Sequence, residues 1–148
     1  MPSQQATPET YLGTARAEGW LKAPLPGRHD YGPPPQDDLA LNEFAYSGVW
    51  TIGAQAASAV SGARVDVEFQ ARDVYLVLSS AGGRQRALQV MLDGRPIPAA
   101  DAGADVRAAS AQVTRQRLYT LVSLPRVGRH HLALRFSPGI SGYAFTFG

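Results

Sequence analysis

Alternation of apolar and polar side chains with a period of two runs through most of the chain, and it is cleanest at residues 64–70 (RVDVEFQ). Val65, Val67 and Phe69 fall on one side there, with Arg64, Asp66 and Glu68 on the other. This is the pattern of a strand with one face on a core and one in water. Residues 73–78 (DVYLVL) are apolar on both sides, as in a central strand. The tip Ala81-Gly82-Gly83 is expected to fold that strand back onto residues 86–92 as a hairpin. Asp93-Gly94 is a type I′ turn signal into Arg95-Pro96-Ile97, which proline confines to a sheet edge.

Residues 113–124 (VTRQRLYTLVSL) and 129–136 (RHHLALRF) are rich in β-branched, aromatic and alternating positions, and Pro125 and Gly128 lie between them. The two runs read as a second hairpin. After Ser137-Pro138-Gly139, the side chains of Tyr143, Phe145 and Phe147 line one side of a closing strand that pins the end of the chain into the sheet. Upstream, residues 43–52 and 55–60 are further strands, the latter ended by a Ser61-Gly62 turn, and residues 99–111 read as a loop with one helical turn. Eight or nine strands at roughly ten-residue spacing, without a long amphipathic helix, predict an all-β fold. The architecture expected is a jelly-roll or galactose-binding-like β-sandwich.

The first 38 residues differ in kind. Pro24, Pro26, Gly27, Gly32 and the run Pro33-Pro34-Pro35 punctuate a stretch poor in apolar residues. It reads as an extended arm, with a short strand at Tyr11-Leu12-Gly13, a weak helical signal at residues 14–21, and polyproline II at residues 32–35. The expected organisation is a linker or vector-derived remnant at residues 1–6 and one domain at 7–148, divided into an arm at 7–42 and a sandwich core at 43–148.

Bulk composition narrows the function. A chain of 148 residues buries roughly 68–70% of its unfolded surface, enough for a core without metal or disulfide staples. Cysteine is absent, which removes thiolate nucleophiles, CxxC redox chemistry and thiolate metal sites from this chain. The net charge of +2 comes from fourteen cations, all arginine except Lys22, dispersed among twelve carboxylates. Nucleic-acid binders concentrate charge into a stripe, so no nucleic-acid partner is expected. The start MPSQQATPET lacks the basic and apolar regions of a signal peptide, and no apolar run suits direct membrane insertion.

Candidate chemistry is sparse. His130 and His131 are adjacent on a strand and point to opposite faces, so they cannot share a metal ion. His130 is in phase with Leu132, Leu134 and Phe136, which predicts burial, while His131 shares the wet face with Arg135. His29 beside Asp30 has no second ligand nearby. Asp66 and Glu68 share a face with Cα atoms about 6.6 Å apart, a separation that overlaps glycosidase carboxylate pairs. On an exposed strip beside Arg64, however, they read as solvated charge. Gly139-Ile140-Ser141-Gly142 misses the nucleophile-elbow spacing, and neither GxGxxG nor a P-loop is present, so no catalytic residue, cofactor or metal is assigned. Aromatics are the remaining handle: Trp20, Tyr31 and Trp50, with Tyr46, are candidates to stack on a sugar ring. For Trp50 the competing reading is the core.

Taken in order, residues 7–13 (TPETYLG), residues 69–78 (FQARDVYLVL), Leu92-Asp93-Gly94, residues 117–122 (RLYTLV) and the ending 143–148 (YAFTFG) resemble the C-terminal domain of the DipZ-type thiol:disulfide interchange proteins. The resemblance implies a jelly-roll module similar to carbohydrate-binding modules. It also implies an adjacent thioredoxin-like domain as partner and a periplasmic or extracytoplasmic setting in a membrane-anchored or exported parent. It transfers no catalytic residue, because the CxxC-bearing domain lies outside this sequence. It implies that Met1 is an artificial start and that Thr7-Pro8 marks the junction. The function expected is a noncatalytic accessory module that binds carbohydrate or cell-wall material or positions the redox domain. A protein-docking module is the alternative, and a glycoside hydrolase using Asp66 and Glu68 a remote one.

Overall fold

The computed structural model describes residues 5–148, so residues 1–4 of the segment read as a linker lie outside the described residues. The expectation of an all-β sandwich holds. Ten strands run in chain order as β1 (Thr10–Tyr11), β2 (Gly27–Asp30), β3 (Phe44–Ile52), β4 (Ala57–Ser80), β5 (Arg86–Leu92), β6 (Arg95–Pro96), β7 (Val106–Arg107), β8 (Ser110–Val113), β9 (Arg117–Phe136) and β10 (Ile140–Phe147). Helix among the described residues is confined to two three-residue 3-10 turns, at Thr14–Arg16 and Ala81–Gly83. The weak helical signal at residues 14–21 therefore yields a single turn.

Two strands are much longer than the sequence suggests. The three runs between residues 55 and 78 form one 24-residue strand, β4. Of the two runs read as a hairpin at residues 113–136, Arg117–Phe136 forms one 20-residue strand, β9, and Val113 ends β8. β4 and β9 pair with each other antiparallel, from Arg64 opposite Arg135 to Leu78 opposite Arg117. Pro125 does not turn the chain. The register jumps from Ala71 opposite Gly128 to Asp73 opposite Ser123, so residues 124–127 bulge out of the ladder where proline has no N–H to contribute. The strand bends at this bulge and continues.

Strand order is β1-β10-β4-β9-β5-β8-β7, with β3 added to β4, β2 to β3, and β6 to β5. Ala81-Gly82-Gly83 therefore does not close a hairpin: β5 crosses over to pair with β9. Asp93-Gly94 does make the tight reversal expected, with φ values of 53° and 80° and Leu92 opposite Arg95. The segment read as a loop at residues 99–111 holds the small hairpin β7–β8. Its two-residue turn is Ala108-Ala109, both at positive φ (49° and 60°), and two alanines carry none of the usual turn signature.

One core collects the apolar positions of both halves of β4 and β9. Val65, Val67, Phe69, Val74, Leu76, Leu78, Leu121, Leu132 and Leu134 are all fully buried in it, as are Phe44, Trp50 and Phe145. The closing strand pairs as expected at its end, with Phe145 opposite Leu76 and Phe147 opposite Val74, but a bulge between Gly142 and Phe145 shifts the phase, so Tyr143 leaves the side that Phe145 and Phe147 line and its hydroxyl meets Ser79 Oγ at 2.9 Å. Gly148 O accepts from the N–H groups of Arg72 and Asp73 at 2.8 and 3.0 Å.

The arm is a paired layer. β1 adds to β10, β2 adds to β3, and Trp20 bridges to Phe44. Gly48, opposite this arm, has φ 76°, and a Cβ there would lie 2.1 Å from Gly62 O. Gly48→Ala is expected to lower stability by about 2 kcal/mol or more, since both the dihedral and the contact oppose a side chain. Ala108→Asn with Ala109→Gly is expected to raise stability by about 1 kcal/mol by relieving positive φ. Urea unfolding of the three proteins checks both signs.

Candidate functional site

Residues on the outer face of β4 and β9 are drawn into a charged network by the arm. Asp66 does not face water as the alternation suggests: it is 2% exposed. Residues 35–39 line a groove of about 530 Å³ with Arg64, Asp66, Glu68, Asp93, Arg129 and His131. Arg64 donates to both carboxylate oxygens of Asp66, Nε to Oδ1 at 2.7 Å and Nη2 to Oδ2 at 2.8 Å. His131 Nε2 is 2.7 Å from Asp66 Oδ2, and its Nδ1 is 3.5 Å from Glu68 Oε1. Arg129 Nε donates to Glu68 Oε2 at 2.9 Å.

His130 and His131 serve different carboxylates, as opposite faces require. His130 is only half-buried, because its Nδ1 turns out to Asp93 Oδ2 at 2.6 Å. Asp93 Oδ1 also accepts the backbone N–H of His131 at 2.9 Å. Among the described residues no group of three His, Asp or Glu side chains is arranged to hold a metal ion, and no helix is long and apolar enough to cross a membrane.

These contacts set the charges. Burial pushes the Asp66 carboxyl up, but the hydrogen bonds from His131 and Arg64 together outweigh it and hold the group below the usual carboxylate range. The hydrogen bond to Asp66 raises the His131 pKa, against burial and with help from the Asp66 and Glu68 charges. Asp66 is thus held ionised. A glycosidase general acid must keep its proton near neutrality, a role that an ionised Asp66 does not fit.

The aromatic candidates fall into two groups. Trp50 is 0% exposed, with Nε1 donating to Ser47 O at 2.9 Å. It is a core residue and cannot touch a ligand, which corrects its inclusion among the stacking candidates. A side chain of that size gains more from removing its surface from water than from display. Trp20 and Tyr31 are half-buried and converge on Tyr46. Trp20 stacks on Tyr46 at 4.0 Å between centroids and 5° between planes, and Tyr31 packs on its edge at 5.3 Å. Trp20 Nε1 donates to Tyr11 O at 3.0 Å, and Tyr46 Oη donates to Leu12 O at 2.7 Å. Beside them Leu21, Lys22, Tyr31, Pro33, Pro35 and Tyr46 line a small groove of about 110 Å³. Leu21 and Leu25, missed in the sequence, are 52% and 55% exposed at this surface.

The network predicts a pH dependence. A histidine whose folded pKa is raised stabilises fully below its ordinary value of about 6.5 and loses that contribution as pH rises through the folded pKa. Asp66, depressed, contributes above about 4 and loses it as pH falls through its folded pKa. The groups facing His131 are Asp66 and Glu68 from β4 and the arm's Asp37 and Asp38 across the groove. The melting temperature is therefore expected to fall as pH rises from about 6.5 through the raised folded pKa of His131, and to fall less in His131→Gln. Calorimetry across that range checks it; a wild-type midpoint that rises there contradicts the assignment.

Comparison with known proteins places this architecture. The family model for the thioredoxin like C-terminal domain matches residues 7–148. Protein DipZ of Mycobacterium bovis and Protein DipZ of Mycobacterium tuberculosis are each 29% identical over 151 aligned residues, covering 99% of this chain and 19% of the relative. The chain thus spans about a fifth of the curated relatives it matches. Among solved structures, a family two carbohydrate esterase from Cellvibrio japonicus superposes with TM-score 0.55 at 14% identity over 70% of this chain and 30% of the other. An active site mutant of a family two carbohydrate esterase from Clostridium thermocellum, in complex with celluohexase, gives TM-score 0.53 at 25% identity over 71% and 31%. With a family model spanning residues 7–148, almost its whole length, the chain belongs to the thioredoxin like C-terminal domain family.

Proposed function

We propose that this domain is a noncatalytic accessory module that holds glycan or cell-wall material beside the thioredoxin-like domain of an extracytoplasmic thiol:disulfide interchange protein. The observation that carries the reading is the aromatic convergence of Trp20, Tyr31 and Tyr46 at the rim of a groove. The half-buried rings of Trp20 and Tyr31 suit a sugar by offering an apolar face for its C–H groups, and their polar tips are fixed by the Tyr11 carbonyl and the Leu25 N–H. A carbohydrate esterase among the structural neighbours supports the same class of ligand.

The chain has no cysteine, so any disulfide chemistry belongs to another part of the parent. The module contributes by tethering. A weak site joined to an enzyme raises the effective concentration of whatever it holds without new contacts at the active site.

A second reading, docking onto the thioredoxin-like domain or a protein substrate, is favoured by one observation: Leu21 and Leu25 stand exposed beside the aromatic group. Exposed leucines in a cluster suit a protein surface better than a sugar.

Titration of the domain with neutral oligosaccharides and peptidoglycan fragments separates the two. Tyr31→Ala and Trp20→Ala, checked for folding by circular dichroism, are expected to weaken glycan binding about tenfold or more. Trp50→Ala is unsuitable as a probe, because emptying that core site costs about 3–5 kcal/mol. A flat response from the wild type to every glycan, with retention on the immobilised thioredoxin-like domain, favours docking.

A further inference from the structure

Six residues form a single line across the outer face of the sheet. Ser47 on β3 stands opposite Arg64 on β4, and Arg64 opposite Arg135 on β9. Arg135 is opposite Gln89 on β5, Gln89 opposite Ser110 on β8, and Ser110 opposite Arg107 on β7. Residues directly opposite on neighbouring strands share a face. Five interstrand steps at about 4.8 Å give a row roughly 24 Å long. Its flanking positions Val65, Leu134, Leu88, Val90 and Val106 are buried, so the row itself lies on the solvent side.

The charges along it are out of balance. Like charges directly opposite one another oppose sheet pairing, yet Arg64 and Arg135 occupy such a pair. Arg64 is answered by Asp66. Arg135 and Arg107 are exposed and, among the described residues, no carboxylate lies within ion-pair distance of either.

At the β3 end the row runs into a cleft of about 380 Å³ between Pro33-Pro34 and the side chains of Arg64, Arg135 and Ser47. Ser47 is 1% exposed, and its hydroxyl is the one buried side-chain polar atom without a hydrogen-bond partner among the described residues. Such an atom calls for an explanation. Pro33 also lines the aromatic groove, so cleft and groove are neighbours on either side of one proline.

We propose that the domain binds an acidic polysaccharide laid across the strands. Arg135 and Arg107 pair with its anionic groups, carboxylate or phosphate, while Gln89 and Ser110 bond its hydroxyls. The chain then passes through the cleft toward Tyr31. This rests on the glycan reading and assigns that ligand its charge. Guanidinium groups match both kinds of anion in two-pronged geometry. The row is too sparse for nucleic acid, and with Met91 half-buried beside it it has no apolar surface for a bilayer.

The test measures binding of the whole domain to polygalacturonate, to the same polymer methyl-esterified, to a phosphomannan and to a DNA oligonucleotide. Polygalacturonate or the phosphomannan is expected to bind at least about tenfold tighter than the uncharged ester, and which of the two is preferred assigns carboxylate or phosphate. Arg135→Gln and Arg107→Gln are each expected to weaken that binding about three- to tenfold. Arg135→Gln is also expected to leave the melting temperature unchanged or raised, since it removes the like-charge opposition. Equal binding of the ester, unaffected by either substitution, overturns the anionic row and leaves a neutral-glycan module standing. Failure of every polymer, together with the neutral sugars, overturns both. Oligonucleotide binding as tight as that of the acidic polymers overturns the assignment to polysaccharide.

Discussion

The pairing of β4 with β9 is the constraint on which the other elements depend. Two strands of 24 and 20 residues run antiparallel, with the register shifted at the bulge of residues 124–127. Because a one-residue slip in either would send every apolar side chain to the opposite face, this register fixes the core of both halves at once. It also fixes what lies outside. Asp66 meets His131, and Arg64 meets Arg135, because Val65 must meet Leu134.

The arm then changes the environment of that outer face. Residues 35–39 turn what would be a solvated strip into a groove, and Asp66 becomes a nearly buried carboxylate. Buried carboxylates are tolerated when paired and hydrogen-bonded, and Asp66 has both Arg64 and His131. The same arm brings Trp20 and Tyr31 onto Tyr46. One segment thus builds the aromatic group on one side and encloses the ion network on the other, with Pro33 and Pro35 between them.

Much of this is legible in the chain. Alternation at residues 64–70 identifies the inward set Val65, Val67 and Phe69, the Asp93-Gly94 dipeptide identifies its turn, and the phase of Phe145 and Phe147 identifies the closing strand. These signals are local. The failures share a cause: strand continuity through Ser61-Gly62 and Pro125, the crossover after Gly83, and the burial of Asp66 are decided by partners far away in sequence. His131 and Asp66 are 65 residues apart, and no window along the chain relates them. The arginine row is hidden for the same reason, since its members come from strands in the order β3-β4-β9-β5-β8-β7. The strand β2, all of whose side chains are exposed, has no apolar period to announce it. The Ala108-Ala109 turn has no turn chemistry.

The first and last strands lie side by side and antiparallel, Thr10 against Phe145 and Tyr11 against Ala144. Tension applied between the two ends of the domain therefore loads this contact at one extremity and opens it a rung at a time, as a zipper, instead of shearing all rungs together. The arm would peel first, because it is held by two rungs of β1 while the β4–β9 ladder runs from Arg64 to Leu78. The segment that carries the aromatic group is then the first to yield, so such tension would dismantle the groove before it unfolded the sandwich.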